Sequence, residues 1–400
     1  MKSLEQMKKE YAEVLVKIGV DLKEGQKLVC ECPTEHADFM PILAKAAYEN
    51  GCGGFVVMWS NSAVDRINAE NLLDKYECTE AKTAEYYASQ GAALIRIESP
   101  DLDAMKGMST EATSAYRKAT VAMRRGFRKA AKGAGSTIAC VPGKAWAKLV
   151  FPEIENEDER ILKMWDAVLT CSRCKEETNA VSAWKKYISD TAKRKALLDE
   201  KGYVEFKYKS DLSDFTVSPA EGSFWMGGCM ETEDKVYVPN IPTEEVFQTP
   251  HKYKVNGTVA AVLPLVFGGQ IINGIKLTLK DGKIIDYSAS EGYELLKSII
   301  ETDEGSHYLG EMAFIDVASP IASQGKVFYT TLYDENASCH VAIGNSYGPD
   351  DLSDEEADRL GYNHSAVHVD FMIGDGSMNI DGKTKEGVWE PIFRNGHWAI

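Results

Sequence analysis

The chain has 400 residues, 44% of them hydrophobic, and a formal net charge of -16; its length predicts two domains, and its acidity argues against nucleic acid or an anionic membrane as the main partner. No apolar run is long enough to cross a bilayer, and the opening MKSLEQMKKEYAEVLVKIGV reads as an amphipathic helix, not a signal peptide. Nine cysteines without framework spacing read as reduced thiols in a cytoplasm.

The first half alternates strand and helix signals. Residues 27–32 (KLVCEC) predict a strand, 35–48 a helix, and 55–59 (FVVMW) and 93–97 (ALIRI) two further buried strands. A helix pattern over 110–132 precedes another strand at 137–141. Strands separated by helices predict a mainly parallel sheet layered with helices, an α/β domain. Its chemistry-like motifs are weak. The run Gly51-Cys52-Gly53-Gly54 follows a helix and precedes a strand, whereas a dinucleotide loop needs the reverse order. Cys171 and Cys174 have redox spacing, but one such pair reads first as buried structural thiols. The basic stripe Arg117, Arg124, Arg125, Arg128 and Lys132 reads as a solvated helix face.

Residues 179–201 predict one charged amphipathic helix ending at Gly202, the expected bridge between domains 1–202 and 203–400. Beyond it come strand signals at 203–208, 215–217, 236–238, 258–265 and 274–279. Asp281-Gly282 between two alternating runs is a strong hairpin signal. A helix is expected over 291–301, so the second half is a β-rich α+β domain.

The stretch from Glu311 to Asp370 carries the chemistry. Five of the chain's seven histidines, His307, His340, His364, His368 and His397, fall in the last quarter. His368 and Asp370 are two apart in a β-type run, so both point to one face. With Glu245, just after Pro242, the candidate ligands are Glu245, Glu311, Glu335, His340, His368 and Asp370. Carboxylates and imidazoles suit divalent metals such as zinc, cobalt or manganese. Six candidates are too many for one tetrahedral ion, whereas two neighbouring ions accommodate them. Tyr347, seven residues past His340, is placed to donate to a developing oxyanion. A scatter of loop carboxylates is the bland alternative, and the concentration of these residues among apolar runs weighs against it.

These residues lie in NIPTEEVF, ETDEGSHYLGE, TLYDENASCHVAIGNSY and HSAVHVDFMIG, followed by IDG and IFRNGHW near the end. In that order, the motifs resemble the thermophilic-type metalloaminopeptidases (the aminopeptidase T, aminopeptidase S and PepS family) along most of the chain. The resemblance implies a C-terminal catalytic domain holding two divalent ions (zinc, cobalt, manganese or magnesium), bound by residues aligned with Glu245, Glu311, His340, His368 and Asp370. It places Glu335 as a further carboxylate and Tyr347 at the catalytic tyrosine. It implies release of N-terminal amino acids from short peptides by water activated at two metals, in a homodimer. A carboxylate of the cluster, with Glu311 the candidate, would handle the water proton, and the sequence does not divide the base from the bridging ligand. The surplus acids Glu244, Glu245, Asp334 and Glu335 suit recognition of a free α-amine. Another two-metal hydrolase, an amidase or phosphoesterase, would use the same set, and a non-catalytic metal-binding scaffold is the reading from a different class.

Overall fold

Short runs rich in Val, Ile and Cys alternate with helices in the first half, and in the computed structural model they pair into one parallel sheet. Its order is Gly54–Ser60, Lys27–Pro33, Ala93–Glu98, Ser136–Cys140, Asn240–Ile241. The structure describes residues 2–75, 79–109, 111–116, 118–120, 133–349 and 352–400. Of the helix expected over 110–132, residues 111–116 and 118–120 are helical, and the basic stripe lies outside the described residues. Leu28, Val29 and Cys30 are buried in strand Lys27–Pro33, as expected of a parallel strand covered on both faces. Helix Leu4–Val14 starts at Ser3, whose side chain accepts the Gln6 N–H. Helix Glu157–Cys171 starts at Asn156 and carries three acids in its first turn, which suits its positive end. Cys171 and Cys174 are both buried, and burial pushes the Cys174 thiol up.

By contacts the chain divides into Met1–Ile188 with Cys229–Pro242, and Ser189–Gly228 with Thr243–Ile400. The long helix is present as Ala180–Lys201, and the division falls inside it, not at its end at residue 202. Residues 229–242 return to the first unit because Asn240–Ile241 adds a parallel strand beside Ser136–Cys140. No helix among the described residues is long and apolar enough to cross a membrane.

The second unit is built from antiparallel sheets. Eight strands form the large one: Lys283–Ser288, Lys276–Lys280, Pro250–Ala260, Asp214–Pro219, Glu205–Lys209, Asn379–Lys383, Trp389–Arg394 and His397–Trp398, in that order. Asp281 and Gly282 both have positive φ, 48° and 79°, as a tight two-residue hairpin turn requires. The strand expected over 258–265 is instead two. One ends at Ala260, and Leu265–Phe267 pairs separately with Gln270–Ile272. Pro264 lies between them, and a proline has no N–H to continue a ladder.

A four-stranded sheet lies over the large one, in the order Val246–Gln248, Leu309–Phe314, His340–Gly344, His368–Met372. Met312, Phe314, Val341, Ile343, Val369 and Phe371 from its inner face share one core with Phe206, Phe215, Val217 and Phe393. The ring of Phe314 lies 5.7 Å from that of Phe206 and 5.5 Å from that of Phe393. Fully burying such a side chain contributes about 1.5–3 kcal/mol. This packing fixes which way the strands face.

Candidate metal centre

Alternation along three strands sends the other set of side chains to the opposite face. Once Met312, Val341 and Phe371, which pair in register, face the core, their odd-step neighbours must face away. Those neighbours are Glu311, His340, His368 and Asp370. Ala342 lies opposite Glu311 on one side and Asp370 on the other, and Gly344 lies opposite His368. Small residues at 342 and 344 leave room for the large polar ones between them.

The Glu311 strand carries a register shift between Leu309 and Glu311. Gly310 sits at that bulge, where a Cβ would lie 2.2 Å from the Asn345 carbonyl oxygen. A bulge re-aims the next side chain, and here it directs the Glu311 carboxylate between two imidazoles. Its Oε1 is 3.2 Å from His340 Nε2, and its Oε2 is 3.3 Å from His368 Nε2. Glu245 Oε2 lies 3.4 Å from His340 Nε2, and Asp370 Oδ1 lies 3.4 Å from His368 Nε2. Two donor groups follow, Glu245 with Glu311 and His340, and Glu311 with His368 and Asp370, each with its atoms within 4.8 Å of one another.

The opposite nitrogens orient both rings. His340 Nδ1 meets the Glu335 carbonyl at 2.8 Å, and His368 Nδ1 meets the Asn345 carbonyl at 2.6 Å. A carbonyl only accepts, so Nδ1 carries the proton in each contact and Nε2 faces the carboxylates. No residue pattern announces a carbonyl, and the sequence gives no sign of these two partners.

The cluster is closely charged and largely dry: Glu311 is 4% exposed and His340 1%. Burial raises the Glu245 carboxyl, and Glu311 and Asp370 push it the same way. Burial likewise holds Glu335 well above the ordinary carboxylate range, with Asp370 and Glu245 adding repulsion. Burial works against a proton on His340, yet Glu245 and Glu311 outweigh it and hold the imidazole well above its usual value. His368 is raised in the same way by Asp370 and Glu311. Asp370 moves the other way, because burial is overcome by His368. Positive charge is favoured at this point of the fold.

The donor set fits divalent cations. Asp370 Oδ1 is buried and makes no hydrogen bond, with only the imidazoles of His368 and His340 near it, at 3.4 and 3.9 Å, and a buried carboxylate oxygen is costly unless positive charge meets it. Glu335 is in neither three-residue group, and the charges of Asp370 and Glu245 reach its carboxyl. Tyr347 is also there, its ring 5.2 Å from that of His368 and 5.3 Å from that of Phe247. Burial and then the charges of Glu311, Asp370, Glu245 and Glu335 hold its phenol far above the ordinary range. Asp334 is turned away. It is 2% exposed, and its two oxygens accept the Phe328 and Thr330 N–H groups at 2.7 and 3.1 Å, so it supplies no charge to a substrate amine.

Residues 4–398 match the family described as Thermophilic metalloprotease (M29). Aminopeptidase 2 of Geobacillus stearothermophilus is 39% identical over 98% of this chain and 97% of its own length. Aminopeptidase AmpS of Bacillus subtilis (strain 168) is 37% identical over 100% of both chains. The solved structure of wild-type AmpT from Thermus thermophilus superposes with a TM-score of 0.90, at 32% identity and 100% coverage of both chains.

Proposed function

This chain belongs to the thermophilic metalloprotease (M29) family, and from that premise we propose that it is a metal-dependent aminopeptidase releasing N-terminal amino acids from short peptides at a two-ion centre. The observation that carries the proposal is the disposition of Glu311, one carboxylate oxygen near each of two imidazoles. Glu245, Glu311 and His340 would hold one ion, and Glu311, His368 and Asp370 the other, with Glu335 as a further carboxylate. When bound, divalent ions of this kind acidify water and polarise a carbonyl.

The chain's own residues do the rest. A carboxylate of the cluster accepts the proton of the attacking water, and Tyr347, kept protonated by burial and by its acidic neighbours, donates a hydrogen bond to the developing oxyanion. Glu245 and Glu335 keep the site negative enough to receive a free α-amine beside two cations. The catalytic domain is the β-rich unit, Ser189–Gly228 with Thr243–Ile400, in a homodimer that works in the cytoplasm with zinc, cobalt, manganese or magnesium. Two measurements test this reading. Elemental analysis of reconstituted protein should reach two divalent ions per chain. N-acetylation of a peptide should lower kcat/KM by roughly 30–150-fold. One ion at full activity overturns the two-ion centre, and equal cleavage of blocked and free peptides makes the enzyme a general amidase or endopeptidase.

A further inference from the structure

Backbone pairing fixes four of the six candidate ligands, whereas the other two lie off the sheet. Glu245 immediately precedes the edge strand Val246–Gln248, and Glu335 opens a 3-10 turn after the short helix Thr331–Asp334. Asn336 joins the two segments. It is 0% exposed, and its Oδ1 accepts the Glu244 N–H at 2.8 Å. Its Nδ2 donates to the Leu332 carbonyl at 3.0 Å and to Glu335 Oε1 at 3.4 Å. The residue before it supplies the carbonyl that orients His340. A shift of this one turn therefore moves Glu335 and the ring of His340, and loosens the main chain beside Glu245.

We infer that Asn336 is a positioning residue for the metal centre, holding Glu245 and Glu335 at the spacing that lets their carboxylates serve the same ions. The inference rests on the two-ion reading above. A buried asparagine always has a simpler role, that of closing a turn. The Leu332 contact, four residues back, is that role. The Glu244 contact is not local to the turn, since that residue is 92 positions away; the Glu335 contact is local, but it ends on a carboxylate that the turn carries toward the cluster. Removing such a partner inside a dry cluster leaves the Glu244 N–H unsatisfied, with no solvent to replace the amide.

Asn336→Ala and Asn336→Ser separate the roles. Each variant is titrated with Zn(II) alone and with Mn(II) alone, and melted in chelator and in saturating metal. The expected result is a fall of roughly 10–100-fold in affinity for the weaker-bound ion, the scale of lost support behind a ligand. The rise in Tm that metal gives should shrink, while the Tm in chelator changes much less. Ion affinities within twofold of wild type overturn the inference even if Tm in chelator falls. If neither variant folds in saturating metal, Asn336 is a folding residue and the inference is equally overturned. A wild-type chain that binds no ion, or only one, counts against the proposed function instead.

Discussion

Tyr347 shows how much a single residue's surroundings decide. Burial, and then the charges of Glu311, Asp370, Glu245 and Glu335, keep its phenol protonated far above neutral pH, so it is available as a donor throughout the working range. Its backbone carbonyl accepts the Thr249 hydroxyl at 2.6 Å, and Phe247 and His368 flank its ring. Tyr347→Phe keeps those ring contacts and removes only the hydroxyl. We expect kcat to fall roughly 10²–10³-fold, the scale of one lost oxyanion donor, with metal content unchanged. A kcat near wild type, measured beside elemental analysis, makes Tyr347 a packing residue. Asp334 and Glu335 teach the converse. They are adjacent acids of one motif, and only the hydrogen bonds to Phe328 and Thr330, made by a local turn, separate a structural carboxylate from a site carboxylate. Residue type made both of them candidates, and only backbone geometry divides them.

At the scale of elements, period-two alternation was the readable signal. The order apolar-polar-apolar around Glu311, His340, His368 and Asp370 placed His368 and Asp370 on one face in advance, and the register bears that out. The bulge at Gly310 and the carbonyl partners of the two imidazoles were not readable, because both depend on where a neighbouring strand ends. Pro264, by contrast, was a visible break that the predicted strand over 258–265 ran through. Gly344 gives the element-scale prediction. It lies opposite His368 with φ of 103°, and a Cβ there would sit 2.2 Å from the Val367 carbonyl oxygen. Gly344→Ala should therefore strain the pairing that carries His368, costing roughly 1–3 kcal/mol of stability and weakening the ion bound by His368 and Asp370. Urea unfolding in chelator and a metal titration check both halves. Unchanged stability would mean that the strand can reroute around the clash.

For the whole molecule, the metal centre makes stability depend on pH with a sign that reverses when metal is added. His340 and His368 are held well above 6.5 by the carboxylates around them, and burial raises Glu245 and holds Glu335 well above its ordinary value of 4.5. In each case the folded chain binds protons more tightly than the unfolded chain. The two imidazoles' contribution is fully present below pH 6.5 and is lost as pH rises through their folded values. Other shifted groups mostly act elsewhere. Burial lowers His36 to about 4, which costs stability only below pH 6.5, and burial lowers Lys235 to about 8, which matters above that value. Asp334, raised by burial to about 7, acts in the same direction as the imidazoles. Between pH 6.5 and 8, therefore, stability in chelator should fall as pH rises, by up to roughly 1.4 kcal/mol per pH unit for each proton retained only in the folded chain. Divalent ions displace those protons, so binding strengthens as pH rises, and in saturating metal the fall should flatten or reverse. Urea midpoints at several pH values in that window, with chelator and with metal, read both slopes. Parallel slopes in the two conditions would mean that the imidazole protons and the ions do not occupy the same place, and the assignment of His340 and His368 as ligands would go with them.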